Sequence, residues 1–156
     1  GSEMCIRDRI KDINKIAEVI DSCEVCRIAI NDEEYPYIVP LNFGYEMKDN
    51  IILYFHSALE GKKIDLLKKN NKVCFEMDTA HELYSEESRG YCTFRYKSVI
   101  GTGEIHFIED EKEKEHALQK IMDHYHMEDF PWSRAAMPRT AVYKLEVRSI
   151  TGKEKN

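Results

Sequence analysis

No stretch of this chain approaches the roughly 20 consecutive apolar residues that span a bilayer. No basic-then-apolar leader opens it either, which leads us to expect a cytoplasmic protein. Basic residues are in the minority. The 23 Lys and Arg face 29 Asp and Glu, for a formal net charge of −6. That balance disfavours nucleic acid as a partner, and an anionic membrane surface as well, since both call for a basic footprint. Internal repeats and low-complexity linkers are lacking. The cysteines are Cys5, Cys23, Cys26, Cys74 and Cys92. An odd count in a chain of this size favours free thiols over a disulfide framework.

Several motifs are missing. Cys23-Glu24-Val25-Cys26 has the spacing of a zinc half-site, but no second pair supplies the other ligands, and no metal is expected. A thioredoxin-like reading of the same pair would need a βαβ context. No GxGxxG opens a helix after the first strand, and no GxSxG elbow exists. His81-Glu82 lacks the second histidine of HExxH. His124 and His126 stand two apart on a helical stretch, point in different directions and read as surface residues.

What remains is an ordinary soluble composition long enough for one domain over residues 1–156. Gly1-Ser2 reads as an expression remnant, and residues 1–6 are set aside. Ile10, Ile13, Ile16, Ala17 and Ile20 predict a helix over 10–22. Val25–Ile30 reads as a strand. Tyr35–Tyr45 reads as a long one, placed at an edge or bulged by Pro36 and Pro40. Ile51–His56 follows after a Lys48-Asp49-Asn50 turn, giving a hairpin. Residues 60–70 predict a short helix with Ile64 and Leu67 inward. Val73–Asp78 is a strand, and His81–Gly90 reads as a polar loop. Tyr91–Ile108 is a long strand in which Gly101-Thr102-Gly103 signals a bulge or a close backbone approach. Residues 110–126 predict a helix capped by Asp110. Met127–Arg139 is a loop, and Ala141–Ile150 a closing strand. Six strands and three helices, with mostly short connections, predict a mainly β fold: a six-stranded antiparallel barrel of Greek-key type with peripheral helices.

The junction after Ile51–His56 concentrates polar chemistry. A phosphate favours cationic side chains, hydroxyls and free helix N-terminal amides together. Ser57, Lys62, Lys63 and the amides near Glu60 offer all three. A solvated helix start with lysines facing water is the equally open alternative.

Four segments in order resemble the pyridoxamine-phosphate-oxidase-like FMN-binding split barrels, and within them the Nim-type nitroimidazole-resistance proteins. They are Val25–Ala29, Tyr35-Pro36-Tyr37-Ile38-Val39-Pro40-Leu41-Asn42-Phe43-Gly44-Tyr45, Tyr54-Phe55-His56-Ser57-Ala58 through Gly61-Lys62-Lys63, and Tyr96–Gly103. Thr151-Gly152-Lys153 also fits, so the resemblance runs from Arg7 to Lys153. It implies a homodimer with FMN at the subunit interface. It also implies that Ser57, Lys62 and Lys63 hold the flavin phosphate, that Leu41, Asn42, Phe55 and His56 lie by the ring, and that Tyr96, Ser98 and Val99 come from the partner chain. The implied activity is an FMN-dependent oxidoreductase passing electrons to a small oxidised substrate such as a nitroaromatic or nitroimidazole. His56 would donate a proton, with Tyr96 or Ser98 as accessory groups. The chain departs from the oxidases proper. It has Gly61-Lys62 in place of a basic pair and lacks an arginine-rich final strand, which disfavours pyridoxamine phosphate as substrate. Two other readings stay open: a split barrel that holds flavin or haem without turnover, and a cofactor-free dimeric interaction protein.

Overall fold

The computed structural model describes residues 9–131 and 133–156. Residues 1–8, which include Cys5 and Arg7, and Trp132 lie outside the described residues. The strands are β1 Arg9–Ile10, β2 Cys26–Ile30, β3 Tyr37–Leu41, β4 Gly44–Met47, β5 Ile51–Ala58, β6 Lys72–Glu86, β7 Tyr91–Phe107 and β8 Thr140–Lys155. The helices are α1 Ile13–Ser22, α2 Lys62–Lys69 and α3 Glu111–His124, with 3-10 turns at Glu87–Arg89 and Arg134–Arg139. The fold is mainly β, as expected, but the described residues form eight strands rather than six.

Two of the extra strands have local causes. The stretch read as one strand over Tyr35–Tyr45 is two. β3 pairs with β2, then the chain crosses at Asn42-Phe43 and β4 pairs with β5. Strand order is β3-β2-β6-β7-β8-β5-β4, all antiparallel, with β1 on β8. The two edges of the curled sheet are thus consecutive in sequence, and the crossing at Asn42-Phe43 is where the barrel stays split. Pro40 sits in edge strand β3, where its missing N–H costs no ladder bond. β1 is a two-residue pairing with Gly152 and Lys153 that periodicity does not register.

The stretch His81–Gly90 is not a loop. β6 runs on to Glu86 and pairs with β7 as far as Glu86–Tyr91, after an irregularity between Thr79 and Glu82 where Ala80 has a φ of 58°. This arm projects from the barrel as a two-stranded ribbon.

The barrel core is dense. Phe43, Phe55, Phe75, Tyr143, Ile28, Leu53 and Met77 are fully buried. Gly101 and Gly103 mark a close approach and a bulge, as their pattern suggested. A Cβ on Gly103 would lie 2.3 Å from the Glu146 carbonyl oxygen, and the β7–β8 register shifts between Thr102 and Gly103. Asp110 caps α3 through its carboxylate, 3.0 Å from the Glu113 N–H. A second apolar cluster forms where α3 covers the outer face of β5 and β8, from Tyr54, Ile108, Ala117, Leu118, Ile121 and Val142. Among the described residues no helix is long and apolar enough to cross a membrane.

Candidate functional site

The end of β5 and the start of α2 meet as the sequence suggested. Gly61, at a φ of 144°, is the helix N-cap and no side chain caps the helix, so its first amides remain available. Positive φ favours glycine here, and a Cβ would meet nothing within 4 Å. Lys62 lies beside this N-terminus, 57% exposed. Its Nζ is 3.1 Å from a carboxylate oxygen of Asp32 and 4.7 Å from the ring centre of Tyr37. Asp32 and Tyr37 were not anticipated, because both come from the β2–β3 region and reach Lys62 only in the fold. Lys63 is half-buried.

Ser57 accepts a hydrogen bond from the buried Tyr143 hydroxyl at 3.2 Å and donates to the Ala58 carbonyl at 3.1 Å. The hydroxyl is thereby oriented at the strand end. His56 is the next residue back and points to the opposite face, because strand side chains alternate. It is exposed, yet the protein around it disfavours the imidazolium and holds its pKa below the ordinary value.

The ring-bed residues divide. Phe55 is fully buried against Tyr143, with ring centroids 5.8 Å apart, and Leu41 is buried. Asn42 is exposed at the split. Its Nδ2 donates to the Tyr125 hydroxyl at 3.1 Å, which also accepts from the Phe43 N–H at 3.2 Å and donates to the Glu24 carbonyl at 2.6 Å. Tyr125 falls in the helix expected over 110–126 and was not singled out, since its partners lie 82 to 101 residues away in sequence.

Val99 shares the buried core with Leu41 and Phe55. Tyr96 and Ser98 lie further off: Phe55 pairs with Tyr143, which pairs with Phe107, and Ser98 is nine residues further along β7, a path of roughly 30 Å along the curled strand. Tyr96 and Ser98 are half-buried at the base of the arm, with Lys153 Nζ 5.4 Å from the Tyr96 ring centre, and Val99 is fully buried. A surface hollow of about 420 Å³ is lined among others by Asn31, Pro36, Cys74, Thr102 and Arg148.

The cysteine pair is structural in character. Cys23 and Cys26 are buried and free, and Cys23 donates to the Val19 carbonyl at 3.2 Å. Burial pushes the Cys23 thiol up to about 12 and raises Cys26 as well, so both stay protonated. Among the described residues no group of three or more His, Cys, Asp or Glu is placed to hold a metal. Of the two histidines read as surface residues, only His126 is exposed. His124 is half-buried: its ring lies 4.3 Å from Phe43, its Nε2 donates to the Cys23 carbonyl at 2.6 Å, and its buried Nδ1 has no partner. It sits on the last turn of α3, on the side that packs against the barrel split, which the i, i+2 spacing does not reveal.

A family model described as pyridoxamine 5'-phosphate oxidase matches residues 12–154. A candidate 5-nitroimidazole antibiotic resistance protein of Bacteroides thetaiotaomicron VPI-5482 is 39% identical. The match covers 94% of this chain and 86% of that one, with a TM-score of 0.83. An FAD-binding protein of Mesorhizobium loti shares the fold at 21% identity, covering 95% and 97%, with a TM-score of 0.67. So does a flavocytochrome of Azotobacter vinelandii, at 18% identity, covering 96% and 70%, with a TM-score of 0.77. No curated protein matches the sequence.

Proposed function

The chain belongs to the pyridoxamine 5'-phosphate oxidase family, and on that footing we propose that it binds FMN and reduces a small oxidised substrate, of the nitroaromatic or nitroimidazole class. The observation that carries this reading is the uncapped N-terminus of α2, set beside the Ser57 hydroxyl and the Lys62 ammonium. Amides, hydroxyl and cation drawn from one strand-to-helix junction would suit a phosphomonoester, and the helix dipole would favour its charge. The likeness to the Bacteroides protein supports the substrate class.

The bound flavin would supply two-electron transfer to the substrate. The chain's residues do the rest. Ser57, Lys62 and Lys63 bind the phosphate, and Lys62 exchanges its Asp32 contact for it. Asn42, tethered to Tyr125, borders the ring. His56, on the face of β5 opposite Ser57, would hold the proton on its imidazole. Its lowered pKa makes the imidazolium a stronger acid, which suits proton donation to a reduced substrate and restricts it to the acidic side of neutrality. Tyr96 and Ser98, nine or more residues along β7 from the strand position level with Phe55, would reach this site from a second copy.

The test is turnover. The flavin-loaded protein, reduced by NADH or NADPH, should be reoxidised faster by a nitroimidazole than free reduced flavin is. His56→Ala should lower that rate without releasing flavin. A bound flavin that neither nicotinamide reduces would defeat the oxidoreductase reading.

A further inference from the structure

A recess opens where three strands of the barrel give out. β5 ends just before Leu59, β7 ends at Phe107 and β8 begins at Thr140. The Ile108 N–H bonds the Val142 carbonyl at 2.9 Å as the chain leaves β7 for α3. Residues of all three strand ends, of α2 and of α3 wall a space of about 140 Å³. Its lining is largely apolar. Ile64, Ile108 and Val142 are buried, and Phe107 is half-buried.

Two ammonium groups border this space. Lys68 lies one turn after Ile64 on the same side of α2. Lys114 closes the first turn of α3 and is half-buried. Among the described residues neither makes an ion pair or a side-chain hydrogen bond. Lys48, Lys62, Lys97, Lys120 and Lys144, by contrast, each lie within 4.0 Å of a carboxylate. The place of Lys114 is unfavourable on its own, because the positive end of the helix dipole opposes a cation there. Glu109 also lines the recess but pairs with neither lysine, so two positive charges and one negative leave an excess of one positive charge. The Thr140 hydroxyl already donates to the Ala136 carbonyl at 2.9 Å, which leaves the lysines as the free side-chain donors. An apolar hollow with unpaired cations at its border breaks the usual local rules, as binding sites do.

We propose that this recess binds a small aromatic carboxylate of one-ring size, its ring against Ile64, Phe107 and Val142 and its carboxylate towards Lys68 and Lys114. Three points fix that class. The volume matches one ring, since an apolar cavity of about 150 Å³ holds a benzene molecule. The charge excess calls for an anion. The apolar lining disfavours inorganic phosphate, whose oxygens would meet aliphatic carbon without donors. The recess is separate from the junction of β5 and α2 that carries the phosphate reading. Lys62 turns to Asp32 and Tyr37, whereas the recess is walled by the ends of β7 and β8 and is not lined by Ser57, Lys62 or Lys63. The proposal therefore stands apart from flavin binding.

Titration of the ¹⁵N-labelled full chain with sodium benzoate, at constant ionic strength, tests it. The amides of Ile64, Lys68, Ile108 and Val142 should shift saturably, with a Kd of ~1 mM or tighter. Benzamide, which lacks the charge, and acetate, which lacks the ring, should each bind ~10-fold more weakly or worse. Lys68→Gln and Lys114→Gln should each weaken benzoate by ~5-fold or more and leave Tm unchanged. Lys69→Gln, one residue along α2 and outside the recess, should bind benzoate as the wild type does. Saturating FMN should leave the benzoate Kd unaltered. No saturable shift at tens of millimolar benzoate overturns the proposal, and so does benzamide binding as tightly as benzoate. Shifts centred on Tyr37 and Lys62 that FMN abolishes also overturn it, by placing the anion at the phosphate junction. If benzoate binds as described and FMN does not bind at all, the flavin reading falls and the recess stands.

Discussion

The hydroxyl of Tyr125 accepts the backbone N–H of Phe43 at 3.2 Å, at the crossing where β3 gives way to β4. The same oxygen receives Asn42 Nδ2 and donates to the Glu24 carbonyl, so one phenol ties the barrel split to the end of α1. Removing it leaves a half-buried amide and a carbonyl without their partner. Tyr125→Phe should cost about 1–3 kcal/mol, read as a fall of several degrees in Tm by calorimetry. An unchanged Tm would mean the clamp contributes nothing.

In the proposed function Lys62 would exchange one anion for another. Its present partner is Asp32 at 3.1 Å. Lys62→Ala should weaken FMN binding by ~10-fold or more and leave riboflavin, which lacks the phosphate, almost unaffected. Asp32→Asn should act in the opposite sense for FMN by freeing the ammonium. Fluorescence titration with both flavins measures this. Equal losses for FMN and riboflavin in the Lys62 variant would move the phosphate elsewhere.

Gly44 lies against the backbone of α3, where a Cβ would come within 2.4 Å of the Lys120 carbonyl carbon and 2.5 Å of the Ile121 nitrogen. No flexible side chain can move aside. Gly44→Ala should lift α3 off β4 and cost ~2–4 kcal/mol by chemical denaturation.

Glu76 gives stability a pH slope. Burial, then a hydrogen bond to Asp78, raises its carboxyl from 4.5 to about 7. A group raised in the folded state contributes stability that is complete below its unfolded value and lost as pH rises through the folded one. Asp78 is lowered, first by its bond to Glu76, so its contribution disappears only in acid. Between about pH 5 and pH 8 Glu76 lowers Tm as pH rises, while His56, held below its ordinary value, acts in the opposite sense in the acidic part of that range, so the Glu76 contribution is read as the difference between wild type and a Glu76 variant. Glu76→Gln should flatten the fall. Parallel profiles for wild type and variant would count against a raised Glu76 carboxyl.

Where side chains alternate against a covered core, the sequence was readable. Tyr143, Leu145 and Val147 mark β8, and Ile64 and Leu67 mark the buried side of α2. The arm was not readable, because both of its faces meet solvent. Glu82, Ser85, Glu86, Glu87 and Arg89 then look like a loop, and the pairing of Leu83 with Phe94 shows only once the register is known. The strand end and helix start that carry Ser57 and Lys62 were legible from local order alone. Their companions Asp32, Tyr37 and Tyr143 were not, since each arrives from a distant strand. The role of Tyr125 rests on partners more than eighty residues away, which no local pattern encodes.

The central claim is flavin binding at the start of α2. Titrating the purified chain with FMN, followed by quenching of flavin fluorescence, tests it most directly. The account predicts saturation at one FMN per chain, with affinity reduced in Lys62→Ala. A well-folded protein that leaves added FMN fluorescent and unbound would contradict it.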